Sequence, residues 1–192
     1  MKYLMSFFVL GMAVISAVHA ADYTTEIDAS RATVKEFMQT LKQELQSGMQ
    51  EGGPVNAISV CNLSAPGIAN TYSVRHGWDV GRTSLKLRNP ANAPDAWERS
   101  VLETFEERKG AGEDPAKMEH YEVVRQDGVK QLRYMKAIPT AQLCLACHGE
   151  NIDSITRTRL EKLYPDDQAR GYKAGDIRGA FSISQPLDAG SK

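Results

Sequence analysis

The stretch "HYEVVRQDGVKQLRYMKAI", His120 to Ile138, decides the fold class. Two β-rich runs are joined by Asp127-Gly128, the pair favoured in tight two-residue hairpin turns. On the second run Leu132, Tyr134 and Ile138 share one face. A last strand, "GAFSIS" from Gly179 to Ser184, follows the Gly-rich loop "RGYKAGDIRG". Strands joined as hairpins predict an antiparallel sheet and rule out an all-helical bundle.

Working outward, the helices come before and between these strands. From Ile27 the residues Val34, Phe37, Met38, Leu41, Leu45 and Met49 fall on one stripe, predicting an amphipathic helix closed by Gly48 or Gly52–Gly53. A second helix begins near Pro54, with Val55, Ile58, Cys61, Ala65 and Ile68 at helical spacing, which turns Cys61 inward. Pro66 predicts a kink or a split there, with Ser64 capping the second piece. "WDVGRTSLKLRNPANAPDAW", Trp78 to Trp97, reads as a short strand followed by an ordered loop. A third helix buries Trp97, Val101, Leu102 and Phe105 and ends around Gly110–Gly112. The fold class is therefore α+β, an antiparallel sheet with its helices gathered on one side.

Residues 1–20, "MKYLMSFFVLGMAVISAVHA", have Lys2 as the single charge, an apolar run from Phe7 to Val18 and small residues around Ala20. This is the pattern of a secretory signal, and the apolar part is too short for a spanning helix. Cleavage near Ala20 leaves one periplasmic or exported domain, residues 21–192, with no membrane contact unless the leader is retained. Losing Lys2 takes the formal net charge from −1 to −2. The basic residues are dispersed, so no stripe suits nucleic acid. Three cysteines are too few for a disulfide-built scaffold.

Two of those cysteines lie in "AQLCLACHGEN", Ala141 to Asn151. Cys144, Cys147 and His148 are spaced i, i+3, i+4, so one helical turn points all three side chains the same way. Covalent haem attachment requires that geometry: two thioethers to the vinyl groups, with the adjacent imidazole as proximal iron ligand. A structural zinc site wants four donors, and beyond these three residues the chain has one other thiol, Cys61. A thioredoxin-like dithiol belongs to a parallel α/β pattern, and a disulfide across two intervening residues is strained. One covalent haem c is the expected cofactor.

The sixth iron ligand is open. The last methionine, Met135, precedes the motif, which excludes the cytochrome layout with a downstream Met ligand. The distal candidates are Cys61, His76, His120, Met38, Met49, Met118 and Met135, or no protein ligand. Cys61 is soft and inward-facing, but an inert buried thiol explains it equally well. His76 and His120 sit beside a turn and a strand start and read as surface residues, while the first-helix methionines read as core packing. For the propionates, Arg82, Lys86 and Arg88 lie in the Asn/Pro-rich block, with Arg88, just before "NPAN", the first choice over a solvated loop cation. Tyr134 and Lys136 lead into the motif and by sequence proximity are haem-edge neighbours.

The segments "AISVCNLSAPGIA", "VGRTSLKLRNPANAPDAWE", "CLACHG" and "GYKAGDIRGAFSIS", in that order, resemble a family of exported c-type haem proteins with a PAS-like fold. This family was long catalogued as a domain of unknown function and includes a cyanobacterial haem protein proposed as a redox sensor. The resemblance covers most of the mature chain and implies a PAS-like antiparallel sheet with long flanking helices and one covalent haem. Carried over by position, it implies thioethers at Cys144 and Cys147, the proximal ligand at His148 and the distal ligand at Cys61. Family members often carry membrane or signalling segments. This sequence ends at Lys192 without one, so a separate partner is expected to read any signal.

With His148 and Cys61 as axial ligands, thiolate donation favours ferric iron and a low potential. Weakening of the Fe–S bond on reduction would open a site for CO or NO. The expected function is thus a periplasmic redox or small-ligand sensor with a redox or signalling partner. The alternative is a monohaem electron-transfer cytochrome, which needs the same ligation in both oxidation states. No acid, base or nucleophile constellation flanks the motif, so no enzymatic activity is expected. The stripe of the first helix suits either a homodimer or packing on its own sheet.

Overall fold

A computed structural model describes residues 22–187, and the leader at residues 1–20 lies outside them. The helices are α1 (Thr24–His76), α2 (Ala96–Gly110), α3 (Leu145–His148) and α4 (Ser154–Leu163), and the strands are β1 (Asp79–Thr83), β2 (Glu119–Gln126), β3 (Val129–Pro139) and β4 (Ile177–Pro186). Asp127 and Gly128 both have positive φ, 50° and 80°, the combination that a twisted two-residue hairpin demands. Their turn sets Gln126 opposite Val129. β4 pairs with β3 on one side and β1 on the other, giving an antiparallel sheet in the order β1-β4-β3-β2.

Both faces of this sheet are apolar. Leu132, Tyr134, Phe181 and Ile183 pack with Ile27, Val34, Phe37 and Tyr72 of α1, and Ile138 packs against the edge of that cluster. The alternate residues Met135, Ala137, Ile177 and Ala180 pack with Val101, Leu102 and Phe105 of α2. The helices therefore lie on both faces, which corrects the one-sided arrangement expected. Adjacent apolar residues on β3, such as Tyr134 and Met135, point to opposite faces, so each face needs a cover.

α1 is a helical hairpin. Gly52 (φ −160°, ψ 23°) and Gly53 (φ 65°, ψ −160°) leave the helical region, and Gly53 adopts a left-handed φ that a side chain disfavours. The two arms, residues 24–51 and 54–76, run antiparallel. Phe37 lies 5.5 Å from Tyr72 between ring centroids, Thr40 Oγ1 is 3.0 Å from Tyr72 Oη, and Arg75 pairs with Glu36 at 3.1 Å. The stripe of the first arm is used against its own sheet, with Phe37 fully buried.

Two expectations for the second arm fail. Pro66 does not split it and Ser64 caps no new piece, since no residue of α1 but Gly52 and Gly53 leaves helical geometry. Proline's fixed φ is itself helical, and the lost donor is tolerated where Ala65 and Tyr72 hold the arm against its neighbours. Cys61 is exposed rather than inward. The buried stripe is Ile58, Ala65, Tyr72, a seven-residue repeat, and Cys61 sits about 60° around the helix from Ile58.

The Trp78–Trp97 segment is ordered as expected, with β1, a 3-10 turn at Pro90–Asn92, and Asp95 and Glu98 forming a reciprocal capping box on α2. Among the described residues no helix is long and apolar enough to cross a membrane.

The hairpin of α1 yields a direct test. A Cβ on the buried Gly48 would stand 2.9 Å from Ala57 Cα, a backbone atom that cannot rotate away. Gly48→Val should therefore destabilise the chain by about 1–3 kcal/mol in urea unfolding. Unchanged stability would contradict the close approach of the arms.

Candidate functional site

The Cys144–His148 turn is short: a 3-10 turn, Gln142–Cys144, runs straight into α3, a single α turn. Cys144 and Cys147 are both free and half-buried. Cys147 packs against Ile58 of α1 and Ile152 and Leu160 at α4, and burial pushes its thiol up to about 11. The loop before β4 folds back over the turn, with Tyr172 N–H donating to His148 O at 3.0 Å and Gly171 N–H to Gly149 O at 3.1 Å.

His148 is the best-defined side chain of the site. Its Nδ1 lies 2.8 Å from Ala169 O and 3.2 Å from Arg178 Nε. One nitrogen cannot donate to a carbonyl and accept from a guanidinium together, and the shorter contact selects the Nδ1–H tautomer. That leaves the lone pair on Nε2, which lies 3.4 Å from Arg88 Nη1. Burial, then the Arg178 and Arg88 cations, hold the ring well below the ordinary histidine range, so it is neutral at pH 7. Tyr172 meets the ring edge-on at 6.2 Å.

Arg82, Arg88 and Arg178 line one cleft together with His148 and Ile138. Arg88 ion-pairs with Asp167. Among the described residues neither Arg82 nor Arg178 pairs with a carboxylate. Burial pushes both guanidinium groups down, and Arg88 and Arg82 add to the strain on Arg178. The cleft thus carries partly desolvated positive charge in excess. This suits an anionic group such as a pair of carboxylates.

Cys61, on the second arm of α1, lies within electrostatic range of Arg82 and Arg88, two of the residues that line this cleft. Its side chain is solvent-accessible, yet the atoms crowded around it push its thiol up, against the pull of Arg82 and Arg88. It also lies within electrostatic range of Cys147 and Tyr164. The fold accordingly brings Cys61 and the Cys144–His148 turn to one place from opposite ends of the chain.

Several expected neighbours lie elsewhere. Arg88 is not free for a propionate: it is clamped to Asp167 and to the Cys147 and Ala169 carbonyls. Tyr134 is a core residue, its hydroxyl donating to Glu119 at 2.7 Å. It stands four residues along β3 from Ile138, roughly 13 Å at 3.3 Å per residue. Lys136, two residues from it on β3, pairs across the sheet with Glu119 and Phe181. His76 stacks on Trp78 at 4.6 Å and His120 lies 5.8 Å from the Trp97 ring. Met118 and Met135 are fully buried on the α2 face, while Met38 is exposed.

Asp167, Ala169, Tyr172 and Arg178 are the site residues that sequence reasoning missed. Arg178 carried a usable signal, a cation at the start of an otherwise apolar strand. The contribution of Ala169 is a backbone carbonyl, which leaves no trace in residue type.

A profile of the Tll0287-like family matches residues 16–186. A solved structure, described as the crystal structure of the cyanobacterial heme-protein Tll0287, superposes with a TM-score of 0.65 at 22% identity, covering 85% of this chain and 96% of that one. At this identity the likeness is one of fold. No curated protein shows significant similarity to the chain.

The depressed basicity of His148 has a consequence for the chain without cofactor. The unfolded chain protonates this ring near pH 6.5 and the folded chain does not, so stability falls as pH drops below about 6.5. The slope should approach roughly 1.4 kcal/mol per pH unit in urea unfolding between about pH 6.5 and 5.5, and His148→Gln should remove that contribution.

Proposed function

The chain belongs to the Tll0287-like family, and from that premise we propose that it is a periplasmic monohaem c-type protein that senses redox state or a small ligand. One observation carries the reading: a His148 whose Nδ1 is tied to Ala169 O at 2.8 Å and whose Nε2 lone pair faces a single weak donor, Arg88 Nη1 at 3.4 Å, on the same turn as Cys144 and Cys147. Metal-binding histidines are oriented by just such a bond from the other ring nitrogen.

The residues present fit a haem. Cys144 and Cys147 would anchor it through thioethers, and His148 Nε2 would serve as proximal ligand. Arg82 and Arg178 replace Arg88 as the propionate partners, because their charges have no carboxylate ion pair among the described residues. Cys61, within electrostatic range of Arg82 and Arg88, would be the distal ligand in this reading. Bound haem would supply a one-electron iron centre able to take diatomic ligands such as CO or NO.

The protein's part is to control Cys61. Its crowded surroundings disfavour a free thiolate, so a Cys61 not bound to metal would hold its proton at Sγ. The residue sits on an arm hinged at Gly52–Gly53, and departure of Sγ would let that arm settle differently against α4 and the sheet. A separate redox or signalling partner would read the change. The leader pattern of residues 1–20, cleaved near Ala20, supports the periplasmic location.

Protein exported with a c-type maturation system should keep one haem mass in denaturing mass spectrometry and lose it in the double Cys144→Ala, Cys147→Ala variant. Cys61→Ala should retain haem while its ferric spectrum changes and its midpoint potential rises. An unchanged spectrum and potential would remove Cys61 from the iron.

A further inference from the structure

Arg88 and Asp167 form a bidentate ion pair, Nε to Oδ1 and Nη2 to Oδ2 both at 3.1 Å, with the Arg88 side chain 12% exposed and the Asp167 side chain 0%. Two desolvated charges are retained in a protein interior only with nearly complete hydrogen bonding, and these have it. Arg88 Nη2 also donates to Cys147 O at 2.5 Å and to Ala169 O at 3.2 Å. Asp167 also accepts from Ala169 N–H at 2.9 Å and from Arg170 Nε at 3.0 Å. A backbone bond from Gln168 N–H to Leu87 O, 2.7 Å, joins the two loops beside the pair.

The carbonyls chosen by Arg88 are significant. Cys147 O belongs to the residue directly before His148, and Ala169 O is the acceptor of the His148 Nδ1 proton. One guanidinium therefore fixes both the backbone that carries the imidazole and the atom that orients its ring. Its remaining corner, Nη1, is the atom 3.4 Å from His148 Nε2. A lysine in its place would keep the charge and lose the fork, since a point charge cannot hold a carboxylate and two carbonyls in one plane.

We propose that the Arg88–Asp167 pair positions His148, setting the rotation of the imidazole about its bond to the metal. The inference rests on the haem reading above and assigns Arg88 a role other than propionate binding. Neither residue is a ligand; Arg88 acts through the Cys147 and Ala169 carbonyls and the 3.4 Å contact of Nη1 with the ring, and Asp167 acts through Ala169 N–H and through Arg88.

The test uses the haem-loaded protein and compares ferric electron paramagnetic resonance spectra of the unmodified chain with those of Arg88→Lys, Asp167→Asn and Arg170→Gln. Arg88→Lys and Asp167→Asn should retain haem and show shifted g-values or a second low-spin signal. Arg170→Gln, which removes an Asp167 partner that touches neither carbonyl, should leave the spectrum unchanged. A merely stabilising pair would lower the unfolding midpoint and leave the g-values alone, and haem-loaded Arg88→Lys and Asp167→Asn proteins with the unmodified spectrum would overturn the proposal. Should neither variant accumulate, paramagnetic proton NMR of the unmodified protein decides: the hyperfine-shifted His148 Nδ1 proton should exchange slowly, and exchange at the solvent-limited rate would overturn it. An unmodified chain that takes up no haem would defeat the functional reading itself, and this one with it.

Discussion

The site depends on a hydrogen bond from a side chain to a backbone carbonyl, His148 Nδ1–H to Ala169 O at 2.8 Å. It selects the tautomer, keeps the lone pair on Nε2 and fixes the plane of the ring. Three neighbours maintain that bond. Asp167 holds Ala169 N–H, Arg88 ties the same carbonyl to the Cys147 carbonyl, and Tyr172 closes the loop back onto His148 O. Burial among Arg88 and Arg178 then keeps the ring from protonating, since a third cation in that space would be unfavourable. A four-residue helix turn has little stability of its own, so the loop and the ion pair must supply the rigidity.

The sheet and the α1 hairpin serve this arrangement at longer range. β3 delivers the chain into the Cys144–His148 turn through Ile138 and Pro139, where the register with β4 shifts. β4 begins with Ile177 and puts Arg178 on the cleft side. α1 turns back at Gly52–Gly53, so its second arm passes the Cys144–His148 turn and sets Ile58 against Ile152 and Leu160, with Cys147 beside them. Cys61 lies off the buried stripe of that arm, within electrostatic range of Arg82, Arg88 and Cys147. An inward-facing Cys61 would have been a core thiol; the exposed one is available to a cofactor.

Much of the fold was legible in the residue pattern, for physical reasons that differ by element. Asp127-Gly128 marks a hairpin because few other pairs tolerate two positive φ angles, and the structure shows both. The glycine break in α1 was readable for a similar reason. Pro66 misled because sequence reading charges a proline for its missing donor but cannot see the packing that compensates. The sidedness of the helices misled because alternation was read from one face of β3, while Met135 and Ala137 on the other were counted only as spacers. At the site, spacing grouped Cys144, Cys147 and His148 and the structure sets them on one short turn, whereas Arg88, expected at a propionate, is held by Asp167 and two backbone carbonyls. Its partner Asp167 and the Ala169 carbonyl come from a distant loop, and nothing local in the sequence links them to Arg88.

The central claim is that Cys61 and His148 face one metal and that Cys61 is the ligand that leaves. Absorption spectra of ferric and ferrous protein, each with and without CO, test it most directly. The account predicts a ferric form closed to exogenous ligands, and a ferrous form that binds CO with loss of Cys61 ligation. A ferrous form that stays six-coordinate by protein ligands and ignores CO would contradict it and leave a fixed-ligation electron carrier in its place.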